Sequence, residues 1–231
     1  MNGTVRLVHS VADAFADLVA DDLARAPGAG YALFLSGGGT AAECYRSLAA
    51  HRDVDWSGVD VFLGDERCVP PDDPDSNHRM IAETLLDVVG PVRSDHPMYV
   101  SGSPADAARA YQTLVTGLVR VDLVHLGLGP DGHCASLFPG SAALDDGDPS
   151  HLVVANVDPN GVNPHPRITL TYAGIARASR TVFTVSGPSK RDALARIRAG
   201  QDLPAGRVTG DDIVWLVDAG ALGDGEPDQV G

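Results

Sequence analysis

The stretch that decides the fold is LGLGPDGHCASLFPG, residues 126–140. It follows an apolar run, Val121 to Leu126, which has the composition of a buried strand. Three glycines then form a permissive turn around Asp131 and His133, and the small residues that follow are typical of a helix start. Because α/β proteins usually place their chemistry where a strand ends in a glycine-rich turn, we interpret His133 as a candidate general base with Asp131 as its partner. The alternative is a histidine buried in a turn and hydrogen-bonded to the backbone.

Strand-like and helix-like segments alternate outward from this stretch. The predicted strands are 31–35, 59–63, 121–126, 152–156, 167–171, 181–185 and 213–217, and the predicted helices are 11–26, 36–50, 76–88, 104–119 and 189–199. The proline-rich segment 64–74 is expected to be an irregular loop. This alternation predicts an α/β fold of three layers, a mostly parallel sheet flanked by helices in a Rossmann-like arrangement. Residues 1–218 are expected to form one domain, and residues 219–231, rich in Gly and Asp, a flexible tail.

The composition argues against several classes of function. The chain has 231 residues, 44% of them hydrophobic, and a net charge of −14, so neither nucleic acid nor an anionic membrane surface is an expected partner. It holds no apolar run approaching the ~20 residues of a spanning helix, and its first residues lack the apolar core of a signal peptide. The three cysteines lack metal-ligand spacing and are odd in number, which predicts a reducing compartment, hence the cytoplasm, and no metal site.

A glycine-rich loop between a predicted strand and a predicted helix is a candidate anion site. Its residues are Ser36, Gly37, Gly38, Gly39 and Thr40. Successive glycines leave backbone N–H groups open to an anion, the helix N-terminus adds a favourable partial charge, and two hydroxyls can donate. No lysine follows, so this is not a Walker loop, and the glycine spacing is too narrow for a dinucleotide fingerprint. We expect phosphate binding here; the alternative is a tight turn without a ligand.

Polar residues after the next predicted strand form a second cluster. They are Asp65, Glu66 and Arg67, with Asn77 beyond the proline-rich loop. At the carboxyl end of a strand such a cluster can orient a substrate. The same residues can equally form ordinary salt bridges within a loop, and the sequence leaves both interpretations open.

Two cations nearer the end of the chain complete the candidate site. Arg167 opens a predicted strand, and Lys190 lies in the first turn of a predicted helix. Of the 17 Lys and Arg residues, Lys190 is the only lysine, and a cation in the first turn of a helix opposes the helix dipole. An anion bound at this place would explain the lysine; the alternative is a leftover surface residue.

In their order and spacing, these segments make the chain resemble the 6-phosphogluconolactonase family from about Leu33 to Val217. The segments are LGLGPDGHCASLFPG, GDERCVP followed by SN, and PRITLT followed by GPSK. The resemblance implies a sugar-phosphate isomerase-like fold, which is shared with glucosamine-6-phosphate deaminases. It also implies hydrolysis of 6-phospho-D-glucono-1,5-lactone to 6-phospho-D-gluconate in the oxidative pentose phosphate pathway, with neither a metal nor an organic cofactor.

The resemblance further implies roles for individual residues. His133 corresponds to the family's proposed base with Asp131 beside it, and residues 36–40 correspond to its phosphate-side loop. Arg67 corresponds to the arginine of the family's acidic motif. Arg167 and Lys190 correspond to the residues with which the family contacts the substrate anion.

The glycine loop departs from the family pattern at two positions. The family usually has SGGSTP where this chain has SGGGTAA, so Gly39 replaces a serine and Ala41 replaces a proline that would suit the first position of a helix. The backbone donors remain, and we expect phosphate binding to remain with them.

Other functions are weighed against the lactonase. A glucosamine-6-phosphate deaminase would share the fold, but that family carries Asp-Glu-Tyr where this chain has DER at 65–67, and Ala-Phe-Asn-Glu where it has ASLF at 135–138. A non-catalytic sugar-phosphate sensor usually accompanies a DNA-binding segment, for which the residues before Tyr31 are too few. Cys134 is a poor candidate nucleophile because its base would be its sequence neighbour.

The sequence leaves two further points open. Asp131 either orients His133 or contacts the sugar. The expected partner is a small sugar-phosphate lactone. The expected oligomeric state is either a monomer or a small homo-oligomer.

Overall fold

The computed structural model describes residues 1–25 and 30–223. Its strands are β1 (Thr4–Leu7), β2 (Tyr31–Leu35), β3 (Val59–Leu63), β4 (Asp65–Arg67), β5 (Ser94–Asp95), β6 (Val121–Gly127), β7 (Val153–Asn156), β8 (Arg167–Leu170), β9 (Ala178–Val185) and β10 (Ile213–Val217). Its α-helices are α1 (Val11–Arg25), α2 (Gly39–Ala49), α3 (Asn77–Ile81), α4 (Asp87–Val89), α5 (Pro104–Thr116), α6 (Tyr172–Ile175), α7 (Arg191–Arg198) and α8 (Ala219–Leu222).

Seven strands form a parallel sheet in the order β1-β10-β9-β6-β2-β3-β5. β2, β3 and β10 are buried along their whole length, and apart from Asp60 they consist of apolar residues. Strands of this composition need cover on both faces, which the helices provide. The predicted α/β fold with a mostly parallel sheet is therefore confirmed.

The strand order reverses its direction between β2 and β6. From β2 the chain adds β3 and β5 on one side, whereas β6, β9 and β10 follow on the other side. In open parallel sheets, ligands bind outside the carboxyl ends of the strands at such a switch point. The glycine loop after β2 and the turn after β6 lie there, so the topology places the two predicted motifs side by side.

A second sheet of three antiparallel strands, in the order β4-β8-β7, goes beyond the prediction. The segment 64–74, expected to be an irregular loop, begins with β4, and the predicted strands 152–156 and 167–171 lie in this sheet, outside the parallel one. β4 has three residues, all polar, and so offers no apolar pattern from which a strand can be predicted. The sheet is important for the site because it pairs Arg67 with Arg167.

Smaller differences from the prediction occur at the ends of elements. The prediction omits β1, an edge strand with mostly exposed residues. The predicted helix 76–88 is α3 and α4 joined by a π-helical turn, and the predicted helix 189–199 begins as the 3₁₀ turn Pro188–Lys190 before α7. Part of the predicted tail is helical, because α8 occupies Ala219–Leu222 with Ala221 buried. The rest of that tail, 224–231, and the predicted end of the first helix at residue 26 lie outside the described residues.

The two sheets share one apolar core. It contains Phe34 and Phe62 of the parallel sheet, stacked with centroids 4.7 Å apart, together with Ile168 and Leu170 of the antiparallel sheet. Because such interiors are close-packed, elements from both sheets hold their positions relative to each other. Within the described residues, the structure contains no helix with the length and apolarity needed to cross a membrane.

Candidate active site

A cleft opens at the switch point, and most of the predicted site residues line it. Those on its wall are Ser36, Gly37, Gly38, Asp65, Arg67, Asn77, His133, Arg167 and Lys190. Three of the predicted site residues are not among the residues that line the cleft. Gly39 and Thr40 are the first residues of α2, and Asp131 contacts His133 from within the turn.

His133 and Asp131 form a hydrogen-bonded pair in the turn after β6. The Asp131 carboxylate accepts from His133 Nδ1 at 2.6 Å and from the His133 backbone N–H at 3.1 Å. Burial raises the pKa of the Asp131 carboxyl, but the hydrogen bond and charge of His133 outweigh burial, so this pKa lies below its ordinary value. Since an ionised carboxylate can only accept, the contact assigns the proton to Nδ1 and the lone pair to Nε2.

Glycines in the turn allow this pair to form. A Cβ on Gly129 would lie 2.2 Å from His133 Nδ1 and 2.7 Å from Asp131 Oδ1, which is too close for any side chain. Gly132 has a φ of +90°, in the left-handed region that favours glycine. Phe138 packs edge-on against the imidazole with ring centroids 5.1 Å apart. The turn therefore fixes His133 at the wall of the cleft.

The glycine loop leads from β2 into α2. Gly38 is the N-cap of α2 with a φ of +101°, and a Cβ on Gly37 would lie 1.9 Å from Asn77 Oδ1, so the loop packs directly against the start of α3. The first bond of α2 runs from the Ala42 N–H to the Gly38 carbonyl. The N–H groups of residues 39–41, all of them described, therefore have no acceptor within the helix. A helix start of this kind attracts an anion.

Arg67 and Arg167 bring two positive charges to one wall of the cleft, since they are paired between β4 and β8. Arg167 is 5% exposed, and its Nη1 has no hydrogen-bond partner among the described residues. Burial lowers the pKa of Arg167, and the charge of Arg67 adds to this effect. Two neighbouring cations and an unsatisfied buried donor suit an anion with several oxygens, such as a phosphate.

Lys190 enters the cleft from the 3₁₀ turn after β9, the strand beside β6. Burial lowers the pKa of its ammonium group, and the charge of Asp131 raises it in part. The only lysine of the chain thus lies within electrostatic reach of the Asp131–His133 pair.

The two carboxylates before Arg67 have different surroundings. Asp65 lines the cleft, and its carboxylate accepts from Ser136 Oγ at 2.5 Å. Glu66 is buried, and its Oε1 accepts from the backbone N–H groups of Arg67 and Asn77, each at 2.7 Å. Burial raises the pKa of Glu66, which these hydrogen bonds oppose. Among the described residues neither carboxylate forms an ion pair with Arg67, so the simple loop salt bridge is not what the structure contains.

Further lining residues are Ser136, Phe138 and Asn163, which the sequence interpretation missed. Two of them belong to the quoted stretch, where a helix start was expected after His133. That expectation is wrong: residues 134–137 form a turn closed by a bridge between Cys134 and Leu137, and Ala135 has a φ of +46°. The Cys134 thiol is fully buried, and burial raises its pKa, which disfavours it as a nucleophile.

The residues on the cleft wall do not form a metal site. Within residues 1–25 and 30–223, no group of three or more His, Cys, Asp or Glu side chains is arranged to ligate a metal ion. The arrangement in the cleft combines an oriented imidazole, two arginines, a lysine and an open helix start, which suits proton transfer on an anionic substrate.

Comparison with known proteins gives a consistent result. The family of glucosamine-6-phosphate isomerases/6-phosphogluconolactonase matches residues 4–215. A 6-phosphogluconolactonase from Rhizobium meliloti is 38% identical over 201 residues, covering 84% of this chain and 85% of that protein. One from Mycobacterium tuberculosis is 38% identical over 207 residues, covering 82% of this chain and 83% of that protein.

Solved structures agree on the fold. The crystal structure of 6-phosphogluconolactonase from Thermotoga maritima matches with a TM-score of 0.82 and 30% identity, covering 94% of this chain and 100% of that one. A monomeric glucosamine-6-phosphate deaminase matches with a TM-score of 0.80 and 21% identity, covering 94% and 98%. The fold alone therefore does not separate a lactonase from a deaminase.

Proposed function

The chain belongs to the glucosamine-6-phosphate isomerase/6-phosphogluconolactonase family, and we propose that His133 is the general base with which it hydrolyses 6-phospho-D-glucono-1,5-lactone to 6-phospho-D-gluconate. This reaction belongs to the oxidative pentose phosphate pathway. The observation that supports the role of His133 is the 2.6 Å contact between its Nδ1 and Asp131, which assigns the lone pair to Nε2 in a side chain that lines the cleft.

The reaction needs one proton to be taken up and returned. Nε2 of His133 accepts a proton from water as the water oxygen attacks the lactone carbonyl carbon. The tetrahedral oxyanion then collapses, the bond from this carbon to the ring oxygen breaks, and the imidazolium returns the proton to that oxygen. The new carboxylic acid loses its proton to solvent. Asp131 holds the imidazole in place and stabilises the imidazolium.

The phosphate end of the substrate supplies binding energy that places the carbonyl near His133. Its proposed partners are the glycine loop with the first N–H groups of α2, together with Arg67, Arg167 and Lys190. The support for this assignment is Nη1 of Arg167, which has no hydrogen-bond partner in the described part of the chain and lies beside the charge of Arg67. Asp65 and Asn77, on the same wall, are proposed to bind sugar hydroxyls.

The base assignment is tested with His133→Ala in an assay coupled to glucose-6-phosphate dehydrogenase that follows lactone disappearance, corrected for spontaneous hydrolysis. We expect kcat to fall by about 10²–10⁴, the usual contribution of a general base. His151→Ala is the matched control, because His151 Nδ1 also contacts an aspartate, Asp146 Oδ2 at 3.0 Å, but is not among the residues lining the cleft. Wild-type turnover in His133→Ala would refute the assignment.

The same preparations test the deaminase alternative. Glucosamine-6-phosphate is offered as substrate and ammonia release is measured. We expect none above the background given by heat-denatured protein, whereas deamination at the rate of lactone hydrolysis would contradict the proposed specificity.

The finer points of location and assembly are also proposals. We place the enzyme in the cytoplasm, as a monomer or small homo-oligomer with no nucleic-acid or membrane partner. The supports are three cysteines that are all free thiols and a net charge of −14. Fractionation of cells, and light scattering of the purified protein, test these two points.

A further inference from the structure

The backbone at the end of β2 needs a partner that the sheet does not supply. The pairing of β2 with β3 ends at Leu35, and its pairing with β6 ends at Phe34. Ser36, the first residue of the glycine loop, is 5% exposed, so its N–H and C=O cannot rely on water. A side chain from the following helix satisfies both groups.

That side chain is Tyr45 of α2, which is fully buried. Its hydroxyl accepts from the Ser36 N–H at 2.7 Å and donates to the Ser36 carbonyl at 2.9 Å. One hydroxyl of α2 thus connects the helix back to Ser36, the residue at which the glycine loop begins. Gly38, which lies between them, has a φ of +101°, and no described residue comes within 4 Å of where a Cβ would be.

Tyr45 is itself held by two further side chains. His125 Nδ1 lies 2.8 Å from the Tyr45 hydroxyl, and His125 Nε2 lies 2.8 Å from Thr184 Oγ1. Burial lowers the pKa of His125 to about 3, so the imidazole is neutral and carries one N–H. Since the Tyr45 hydrogen goes to the Ser36 carbonyl, Nδ1 donates to Tyr45 and Nε2 accepts from Thr184. Each of the donors and acceptors in this series of hydrogen bonds, from Ser36 to Thr184, then has a partner.

We propose that Tyr45 is a positioning residue for substrate binding, whose hydroxyl holds Ser36 so that the N–H groups at the start of α2 face the substrate phosphate. This inference rests on the proposed phosphate role of the glycine loop. Tyr45 is not among the residues that line the cleft, and its hydroxyl is hydrogen-bonded to Ser36 and His125. Its effect on the reaction is therefore on affinity, through the loop.

Tyr45→Phe tests the proposal, since the ring and its edge-on contact with Phe15 are kept and only the hydroxyl is lost. We expect KM for the lactone to rise about 5–20-fold, as for the loss of the two hydrogen bonds that hold Ser36, with kcat within a factor of about two. The inhibition constant of inorganic phosphate should rise by the same factor, because the loop is proposed to bind the phosphate group.

Tyr31→Phe is the matched control. Tyr31 lies at the opposite end of β2, is 6% exposed, and contacts Asp22 through its hydroxyl at 3.4 Å. The control should leave KM and phosphate inhibition unchanged. Thr184→Val removes the donor to His125 Nε2. It should raise KM and the inhibition constant of phosphate, but by less than Tyr45→Phe does. Thermal unfolding of each variant identifies an assay temperature at which all are folded.

Unchanged KM and unchanged phosphate inhibition in Tyr45→Phe would overturn the inference, as would a fall in kcat at constant KM. Failure of the proposed function looks different. In that case the wild-type protein hydrolyses no lactone, or His133→Ala hydrolyses it normally, whatever Tyr45→Phe does.

Discussion

Asp131 determines which nitrogen of His133 carries the proton. An ionised carboxylate 2.6 Å from Nδ1 requires a hydrogen there, and the lone pair of the imidazole is then on Nε2. The sequence places the two residues two apart but leaves open whether Asp131 orients the histidine or contacts the sugar. Its contact with both Nδ1 and the His133 backbone N–H favours orientation.

Asp131→Asn separates these two roles. The asparagine amide can donate to Nδ1, which would move the imidazole hydrogen to Nε2 and remove the base. We expect kcat to fall by about 10²–10⁴, by analogy with the loss of the carboxylate from a catalytic triad, while KM changes by less than about threefold. Steady-state kinetics in the coupled assay give both constants.

Asp146→Asn is the control for this change, because Asp146 contacts His151 and is not among the residues that line the cleft. It should leave both constants unchanged. A raised KM with normal kcat in Asp131→Asn would instead assign Asp131 to a sugar hydroxyl.

Residue pairs far apart in sequence are what sequence reasoning could not supply. Arg67 and Arg167 were both predicted to belong to the substrate site, but their pairing depends on the register between β4 and β8. The Asp65–Ser136 bond likewise joins two separate loops. Local patterns such as a glycine-rich turn identify single residues, and the tertiary contacts decide which of them meet.

At the start of α2 the chain carries a glycine where its family usually has a serine. Gly39 is the first helical residue, its φ is not positive, and no atom of residues 1–25 or 30–223 lies within 4 Å of where its Cβ would be. Ala41 is the third residue of α2, not the first as the sequence suggested. At that position a proline would remove one N–H, so alanine keeps a donor that the family's usual residue lacks.

Gly39→Ser should therefore be tolerated. We expect the free energy of unfolding to rise by about 0.4–1 kcal/mol, because serine reduces the freedom of the unfolded chain, and KM to fall or stay constant. Gly38→Ser is the matched contrast, since it too has open space but a φ of +101°. Gly38→Ser should lower the free energy of unfolding by about 1–3 kcal/mol, because a φ of 101° with a ψ of 168° is a conformation that essentially only glycine adopts. Urea denaturation measures both, and equal effects of the two changes would show that backbone conformation does not distinguish these positions.

The elements predicted well are those with a long apolar pattern. β2, β3, β9 and β10 continue the runs read from the sequence. Ser10 and Ser76 lie at the starts of two predicted helices, and the hydroxyl of each accepts a hydrogen bond from the backbone N–H three residues on. The antiparallel sheet was less predictable because β4 is short and polar. A strand of this kind is stabilised by its neighbours in the fold, which no local pattern shows.

The molecule as a whole is strongly acidic, yet its cleft is cationic. With a net charge of −14, the chain repels an anion at long range, so we expect substrate binding to depend on the local field of Arg67, Arg167 and Lys190. Two of these cations lie close together, and a buried guanidinium N–H of Arg167 has no partner among the described residues. We therefore expect the protein to gain stability when an anion binds in the cleft.

This gain should appear in the thermal stability of the whole molecule. A ligand at about 100 times its Kd stabilises the native state by about 2.7 kcal/mol, which for a domain of this size is a rise of about 5–10 °C in Tm. We expect 6-phosphogluconate, the product, to produce this shift and sodium chloride of equal ionic strength to produce none.

Arg167→Met should lower or abolish the shift, because it removes the unsatisfied donor. Arg177→Met is the control: Arg177 binds the carbonyls of Val115 and Leu118 and is not among the residues lining the cleft, so this variant should keep the full shift whatever its own Tm. A shift of equal size in both variants would place the anion elsewhere than between Arg67 and Arg167.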